Sequence, residues 1–184
     1  MPIQTPICDF GQKALPFELK STDNKVISLN DIKGENGTLI MFICNHCPYV
    51  KAVTKEIVED CNELKKIGIN SVAICSNDAV NYPDDSFDNM IKFSNDNHFN
   101  FPYLQDETQE IAKSYDAVCT PDFFGYNKDL GLQYRGRLRE LKNFVPVKDG
   151  ESDLLKAMKQ IAETGKGPQN QIPSAGCGIK WKYN

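Results

Sequence analysis

The sequence predicts an α/β fold with a central mixed sheet, helices on both faces of that sheet and a β-hairpin extension near the N-terminus. Three observations lead to this prediction. Apolar runs that suit buried strands alternate along the chain with stretches of helical period. The first two central strands are separated by a helix-length segment, and the last two are joined by a short turn. We therefore expect the first pair to be parallel and the last pair to be antiparallel.

The first part of the chain predicts a hairpin, a strand and a long helix. Residues 17–20 and 26–29 have strand composition and are joined by a polar turn. The apolar run at residues 38–43 has the length of one buried strand. Over residues 48–67, apolar side chains recur every three or four positions, which predicts a single helix, and Gly68 stands where a helix commonly ends.

The rest of the chain continues the alternation within one domain, residues 1–184, with a core at about 15–164 and a C-terminal tail at 165–184. The predicted elements are a strand at residues 69–75, a helix after residue 86, an extended piece at 101–104, a short helix at 108–115, a strand at 118–126, its hairpin partner at 132–136 and an amphipathic helix at 153–162.

Composition excludes several function classes. The net charge of -4 and the scattered basic residues argue against a nucleic-acid surface, and no apolar segment is long enough to cross a membrane. The first residues lack the basic stretch and the apolar core of a secretory signal. Seven cysteines at irregular spacing do not suit a secreted disulfide framework. We therefore expect mostly reduced thiols and a cytoplasmic location.

The most informative motif is Cys44-Asn45-His46-Cys47, which stands between the predicted strand at 38–43 and the predicted helix. The N-terminus of a helix presents unpaired N–H groups and the positive end of its dipole, which stabilise a thiolate. Pro48 suits the first helical turn, where no N–H is needed. His46 can favour a thiolate on Cys44 by charge or by hydrogen bonding. The motif predicts a redox-active dithiol and thiol–disulfide exchange.

Two further features accompany this motif: Thr120-Pro121 ahead of the penultimate strand, and the hairpin at residues 122–136. With them, the chain resembles the thioredoxin-fold superfamily and, within it, the redoxins of the alkyl hydroperoxide reductase/thiol-specific antioxidant (AhpC/TSA) family. The segments 82–85 and 173–181 resemble a little-characterised bacterial branch of that family. The resemblance covers nearly the whole chain and implies a thioredoxin-like fold.

The resemblance also implies roles for individual residues. Cys44 would be the exposed nucleophile and Cys47 the resolving thiol buried behind it. Thr120 would offer its backbone to a bound substrate strand, and Pro121 would follow a cis peptide bond. The implied partners are protein or small-molecule thiols and disulfides, with neither a cofactor nor a resident metal.

The chain departs from the family patterns at several positions. Ile43 stands where thioredoxins usually carry a tryptophan, and the strand before Cys44 contains no carboxylate that could accept a proton. Peroxiredoxins have a Pro-x-x-x-Thr-x-x-Cys pattern; counting back from Cys47 puts Cys44 at its threonine position and Ile40 at its proline position. Arg135 or Arg137 could replace the peroxidase arginine. A peroxiredoxin-like antioxidant peroxidase is therefore the second hypothesis, behind disulfide exchange.

Other interpretations stay open at this stage. A metal-binding or carrier module could use Cys44, Cys47 and Cys119, and Cys119 could instead be an additional redox thiol or a packed neighbour. Cys177 could also be a redox thiol if the tail folds back, carrying Trp181 toward the surface beside Ile43, or it could lie in a tail packed for stability. The acidic pair at residues 84–85 is expected to cap the following helix. The sequence sets neither the oligomeric state nor the direction of electron transfer.

Overall fold

The computed structural model describes residues 1–183. Its strands are β1 (Ile3–Gln4), β2 (Glu18–Ser21), β3 (Val26–Ser28), β4 (Gly37–Phe42), β5 (Ile69–Cys75), β6 (Tyr103–Gln105), β7 (Cys119–Thr120), β8 (Asp122–Tyr126), β9 (Leu132–Tyr134), β10 (Leu141–Lys142), β11 (Val145–Pro146) and β12 (Ala175–Gly178). Its α-helices are α1 (Leu29–Ile32), α2 (Pro48–Lys51), α3 (Thr54–Lys66), α4 (Phe87–Asp96), α5 (Glu110–Ser114) and α6 (Asp153–Thr164), and Pro83–Asp85 forms a 3₁₀ turn.

A seven-stranded mixed sheet has the order β3-β2-β6-β5-β4-β8-β9. Strand β4 is parallel to β5, and β5 is parallel to β6. Strands β8 and β9 are antiparallel to their neighbours, which confirms the predicted mixture of directions. The N-terminal hairpin joins the sheet because β2 pairs with β6.

The central strand β4 is buried along its whole length. Leu39 and Met41 contribute to the hydrophobic core that contains the apolar faces of α3 and α6, whereas Ile40 and Phe42 contribute to a second core with α1 and α5. Successive side chains of a strand point to opposite faces, so an uninterrupted apolar run needs a core on both sides of the sheet. The helices therefore lie on both faces, as the sequence predicted.

The segment predicted as one helix over residues 48–67 is divided into α2 and α3. The hydroxyl of Thr54 donates to the Val50 carbonyl at 2.7 Å, and the Val53 N–H bonds to that same carbonyl at 3.0 Å. These contacts tighten the backbone at the junction, as threonine hydroxyls that bond the preceding turn often do. Helix α3 ends where predicted, with Gly68 at a φ of 81°.

The segment predicted as one strand over residues 118–126 is divided at Pro121, and its halves belong to different sheets. Strand β8 lies in the central sheet, whereas β7 lies in a three-stranded sheet with the order β1-β12-β7. The Thr120–Pro121 bond is cis, as the resemblance implied. The tail therefore folds back as a strand, and the two ends of the chain meet beside this loop.

The elements that the sequence analysis did not predict are short. Helix α1 begins at a capping box: Ser28 Oγ accepts from the Asp31 N–H at 3.2 Å, and the Asp31 carboxylate accepts from the Ser28 N–H at 2.8 Å. Strands β10 and β11 form a two-stranded hairpin. Within residues 1–183, no helix is long and apolar enough to span a membrane.

Candidate active site

The two cysteines of the motif lie at the end of β4 and the beginning of α2. Cys47 is the N-cap residue of α2, and Pro48 occupies the first helical position, as the motif predicted. Cys44 is 1% exposed and Cys47 is fully buried. The expectation of an exposed Cys44 is therefore wrong. Cys44 and Cys47 both belong to the core that contains Leu39 and Met41, which is called the first core below, so the fold buries both thiols.

Thr120 contacts both sulfur atoms from the neighbouring loop. Its hydroxyl oxygen lies 3.4 Å from Cys44 Sγ, and its carbonyl oxygen accepts a hydrogen bond from Cys47 Sγ at 3.3 Å. The structure thus brings Thr120 and Pro121 beside the dithiol, where the resemblance placed them. The roles of Thr120 and Pro121 toward a substrate stay predictions.

The two thiols have opposite electrostatic surroundings. The hydrogen bond from Cys44 lowers the pKa of Cys47, and further hydrogen bonds from Cys177 and from the Val50 N–H lower it again, against the opposing effect of burial. The same hydrogen bond raises the pKa of Cys44, and burial and the charge of Asp85 raise it further. These opposite shifts favour a thiolate on Cys47 over one on Cys44, where the motif predicted it, because Cys44 faces a carboxylate. A Cys47 thiolate gives up the hydrogen bond that the Cys47 thiol donates to the Thr120 carbonyl. The position of the charge within the pair stays a prediction.

Asp85 is a site residue that the sequence analysis missed. Its buried carboxylate accepts from the Asn45 N–H and from Asn77 Nδ2, both at 2.8 Å, and Oδ2 lies 2.7 Å from His46 Nδ1. The expected cap is wrong, since Ser86 Oγ caps α4 instead. A serine directly before a helix is a strong N-cap. The presence of Ser86 in the sequence therefore indicates that neither Asp84 nor Asp85 is needed as the cap of α4.

A buried hydrogen-bond chain holds the loop between the cysteines. Tyr103 donates its hydroxyl to Asn45 Oδ1 at 2.8 Å, and Asn45 Nδ2 donates to the Asp84 carbonyl at 3.0 Å. Burial raises the pKa of Tyr103, so the phenol remains a donor. Asn45 is therefore fixed from three sides, counting its N–H to Asp85.

His46 lies at the outer edge of the site. Its side chain is 28% exposed, and its ring lies parallel to that of Tyr82 with centroids 6.5 Å apart. His46 and Asn45 line an open cavity of about 360 Å³ that also borders Lys51 and Lys92. Nδ1 of the imidazole is close to the Asp85 carboxylate without hydrogen-bond geometry to it. A ring nitrogen also lies within 4.8 Å of the Cys44 sulfur, so His46 can act on that thiol directly.

One group of metal-ligating side chains is found among residues 1–183. The candidate ligand atoms of Cys44, His46 and Asp85 lie within 4.8 Å of one another. Cys119 does not belong to this group; its thiol donates to the Pro121 carbonyl at 3.7 Å. The trio expected for a metal carrier is therefore not assembled, and the group that is found lacks the fourth ligand of a closed tetrahedral site.

The tail brings a third thiol to the pair. Strand β12 is antiparallel to β7, with Cys177 opposite Thr120. Cys177 packs against the core cluster that contains Cys44 and Cys47, and its strand partner Thr120 is the residue whose carbonyl contacts the Cys47 sulfur. Trp181 does not approach the dithiol; it packs against the second core, under the Lys113 ammonium at 5.8 Å.

The arginines expected to replace the peroxidase arginine are engaged elsewhere. Arg135 is buried and donates to Asp122 from Nε at 3.2 Å and from Nη2 at 2.9 Å. Arg137 donates to Asp153 at 2.7 Å. Both guanidinium groups therefore neutralise carboxylates of the scaffold, and the expectation that either would stand in for the peroxidase arginine is not met.

The AhpC/TSA family model matches residues 10–140, which is more than half of the chain. The chain belongs to the AhpC/TSA family. Membership of this family supports a thiol redox function in general. The search of curated proteins found no match.

Two solved structures match the whole chain. An uncharacterized conserved protein from Geobacillus kaustophilus is 42% identical, with a TM-score of 0.94 over 100% of this chain and 98% of that chain. A hypothetical protein from Sinorhizobium meliloti 1021 is 29% identical, with a TM-score of 0.91 over 100% of both chains.

More distant structures show the fold alone. A thiol:disulfide interchange protein of the thioredoxin family from Chlorobium tepidum TLS is 14% identical, with a TM-score of 0.64 over 83% of this chain and 97% of that chain. The thioredoxin-like fold implied by the motifs is thus confirmed.

Proposed function

We propose that this protein is a thiol–disulfide oxidoreductase in which Cys44 and Cys47 alternate between a dithiol and a disulfide. The observation that supports this most directly is the position of Cys47 at the start of α2, in the same buried cluster as Cys44 and with its sulfur 3.3 Å from the Thr120 carbonyl oxygen. A thiolate is the reactive form in exchange, and this position favours it.

The surroundings of the two thiols assign the steps. The Cys47 thiolate attacks one sulfur of a substrate disulfide, forming a mixed disulfide and expelling a substrate thiolate. Cys44 then gives up its proton and attacks Cys47 Sγ, which forms the Cys44–Cys47 bond and expels the second substrate thiolate. This order exchanges the roles that the resemblance implied, because the pKa shifts favour Cys47 as the first thiolate.

The proposed partners are protein or small-molecule thiols and disulfides, and the proposed location is the cytoplasm. All seven cysteines lie within residues 1–183 and carry free thiols. Reduced thiols of this number suit a compartment with a reducing glutathione pool.

Insulin reduction in the presence of dithiothreitol tests the proposal. The wild-type protein should accelerate precipitation of the insulin B chain, Cys47→Ser should lower the rate to background, and Cys44→Ser should lower the rate below that of the wild type. Cys61→Ser, a core thiol on α3, is the control and should retain the rate. Unchanged activity in Cys44→Ser would remove the basis of the proposal.

A second candidate is a thiol peroxidase, favoured by the helix-start position of Cys47. It stays second because Cys44 and Ile40 replace the threonine and the proline of the peroxidase pattern. Peroxide would convert the Cys47 thiolate to a sulfenic acid, and the Cys44 thiol would condense with it to give the disulfide and water. Hydrogen peroxide consumption with a thiol donor tests this activity. A rate equal to that of Cys47→Ser would exclude it.

A further inference from the structure

Cys44, Cys47 and Cys177 meet at one place but differ in their access to solvent. Cys44 and Cys47 are buried, whereas Cys177 is only partly buried. With β12 in its observed position, Cys177 is the outermost thiol of the three. A reactant that approaches from this side reaches Cys177 before it reaches Cys47.

Hydrogen bonds on the N-terminal side of Cys177 hold β12 in place. The Thr5 N–H donates to the Ser174 carbonyl at 2.9 Å, and Ser174 Oγ donates to the Pro121 carbonyl at 2.8 Å. Strand β1 pairs with β12 on the edge opposite β7. The segment before Cys177 is therefore held between the N-terminal strand and the Pro121 loop.

Hydrogen bonds on the C-terminal side hold it as well. The Ile179 N–H donates to the Val118 carbonyl at 3.2 Å, and the Lys180 N–H donates to Asn77 Oδ1 at 2.9 Å. Ile179 is buried in the second core. Because both flanks are anchored, the contact of Cys177 with Cys47 is part of the fold.

The close approach of β12 to the Pro121 loop requires glycine at position 176. A Cβ atom at Gly176 would lie 2.0 Å from the Thr120 carbonyl oxygen, far below van der Waals contact. At Gly178, a Cβ atom would meet only the flexible side chain of Ile3. An added methyl group at position 176 must therefore push β12 away from Thr120, whereas an added methyl group at position 178 need not.

We propose that Cys177 is the third redox thiol of the site and transfers electrons between external thiols and the buried pair through a Cys47–Cys177 disulfide. This inference rests on the proposed function, since it extends the same dithiol–disulfide couple. In this proposal, β12 lies beside Thr120, where a bound substrate strand would lie, and carries the thiol that reacts with Cys47.

The exchange within the protein needs no outside oxidant. Cys177 loses its proton and attacks Cys47 Sγ of the Cys44–Cys47 disulfide. The Cys47–Cys177 bond forms as the Cys44–Cys47 bond breaks, and Cys44 leaves as a thiolate that takes up the proton released by Cys177. One disulfide and one thiol are present before and after the step.

Reduction then uses two external thiols. The first, as a thiolate, attacks the outer sulfur, Cys177 Sγ, and Cys47 leaves as a thiolate. The second attacks the external sulfur of the mixed disulfide, which yields a free external disulfide and the Cys177 thiol. A thiol of lower pKa leaves faster, and the hydrogen bonds at Cys47 lower its pKa.

Cys8 provides a matched control for Cys177. Both thiols are partly buried, and burial raises the pKa of each to about 11. Cys8 packs against the second core, whereas Cys177 packs against the first core, which contains Cys47, and lies opposite Thr120. If Cys177 forms a disulfide with Cys47 and Cys8 does not, the difference is due to where the two thiols lie in the fold, because their burial and pKa are similar.

Disulfide mapping of full-length Cys44→Ser tests the proposal. The protein is treated with oxidised glutathione, quenched with acid, alkylated and analysed by peptide mass spectrometry. The expected main product is the Cys47–Cys177 disulfide, which Cys44→Ser/Cys8→Ser should retain. Cys44→Ser/Cys177→Ser should instead carry glutathione on Cys47. Absence of the Cys47–Cys177 product in Cys44→Ser would overturn the proposal.

Gly176→Ala and Gly178→Ala provide an independent test in the Cys44→Ser background. Gly176→Ala should lower the initial rate of Cys47–Cys177 formation by about tenfold, because displacing β12 separates the sulfurs. Gly178→Ala should leave the rate within about twofold of the parent. Equal rates in the two variants would contradict the assigned role of β12.

The wild-type protein separates this inference from the proposed function. Formation of Cys44–Cys47 in wild type without any Cys47–Cys177 in Cys44→Ser overturns the inference alone. If wild type forms neither disulfide under the same oxidation, the proposed function fails as well.

Discussion

Cys44 and Cys47 are three residues apart and equally buried, yet their surroundings favour opposite protonation states. Cys47 stands at a helix start and receives hydrogen bonds from Cys44 and Cys177, which lower its pKa. Cys44 donates to Cys47 and faces the Asp85 carboxylate, and its pKa is raised. The comparison teaches that burial does not by itself decide which thiol ionises; the partners in the buried space decide it.

The same comparison explains why the order of the cysteines in the sequence is misleading. The resemblance assigned the nucleophile to the first cysteine of the motif. The structure places the helix start at the second cysteine and a carboxylate from a different segment beside the first. Four experiments can break or sharpen this contrast.

The largest effect is expected from Cys47→Ser on the ultraviolet absorbance of thiolate at pH 6, a readout that needs no reagent to reach the buried sulfur. The wild-type protein should show thiolate absorbance, because the Cys47 thiolate persists at a pH where ordinary thiols are protonated. Cys47→Ser should lose this absorbance, and Cys44→Ser should keep it, since serine still offers a hydroxyl donor. Thiolate absorbance that survives in Cys47→Ser would reverse the assignment.

Asp85→Asn should mainly change Cys44. Removing the carboxylate charge should lower the pKa of Cys44 by about one unit, which corresponds to about tenfold faster alkylation of that thiol near pH 8. Asparagine can still accept from the Asn45 N–H, so the loop should stay in place. Asp84→Asn removes an adjacent charge and is the control. Identical profiles for the two variants would show that the Asp85 charge does not act on Cys44.

Tyr103→Phe tests the support of the loop between the two thiols. The substitution leaves Asn45 Oδ1 without its buried donor, which should reduce the free energy of unfolding by about 1–3 kcal/mol. Urea unfolding of the reduced protein measures the change. Tyr49→Phe, on the partly exposed side of α2, should cost less. A Tyr103→Phe midpoint equal to wild type would mean that this hydrogen bond does not stabilise the loop.

The smallest effect concerns the pH dependence of the redox potential. At a pH between the pKa of Cys47 and the pKa of Cys44, reduction of the disulfide adds two electrons and one proton. Cys47 then stays a thiolate, while Cys44 takes up a proton. The potential should then fall by about 30 mV per pH unit, and not by the 59 mV or so expected when both thiols are protonated. Equilibration with glutathione buffers from pH 6 to 8 measures the slope. A slope near 59 mV would show that Cys47 is a thiol in this range.

The same titration gives the midpoint potential. Stabilising the thiolate of the reduced form makes a disulfide more oxidising. We expect a value at pH 7 between about -270 mV, typical of thioredoxin, and about -120 mV, typical of a strong oxidase. A value at or below the thioredoxin potential would contradict a stabilised thiolate in the pair.

The parts of the fold that local pattern determines were predicted closely. Strand β5 occupies the predicted residues 69–75, because this segment, apolar except at Asn70 and Ser71, lies between Gly68 and a polar loop and has the length of one buried strand. The end of α3 at Gly68 and the start of α2 at Pro48 follow from backbone properties of glycine and proline. The division at Thr54 was missed, because it depends on one side-chain hydrogen bond.

The candidate site was predicted only where its residues belong to short motifs. Cys44, His46, Cys47, Thr120 and Pro121 were singled out from motifs, and the structure brings them together. Asp85 was assigned to a helix cap, since nothing local shows that its carboxylate turns toward a loop 40 residues away.

By itself, the amino-acid sequence determined the family, the alternating strands and helices, and the pairing of a dithiol with a helix start, because these depend on local spacing and backbone preference. Only the tertiary structure showed which charges and hydrogen-bonding groups surround each thiol and which thiol lies outermost. Both depend on Asp85 and Cys177, which reach the dithiol through contacts between segments distant along the chain. Electrostatic interaction acts through space, so it cannot be read from the distance along the sequence.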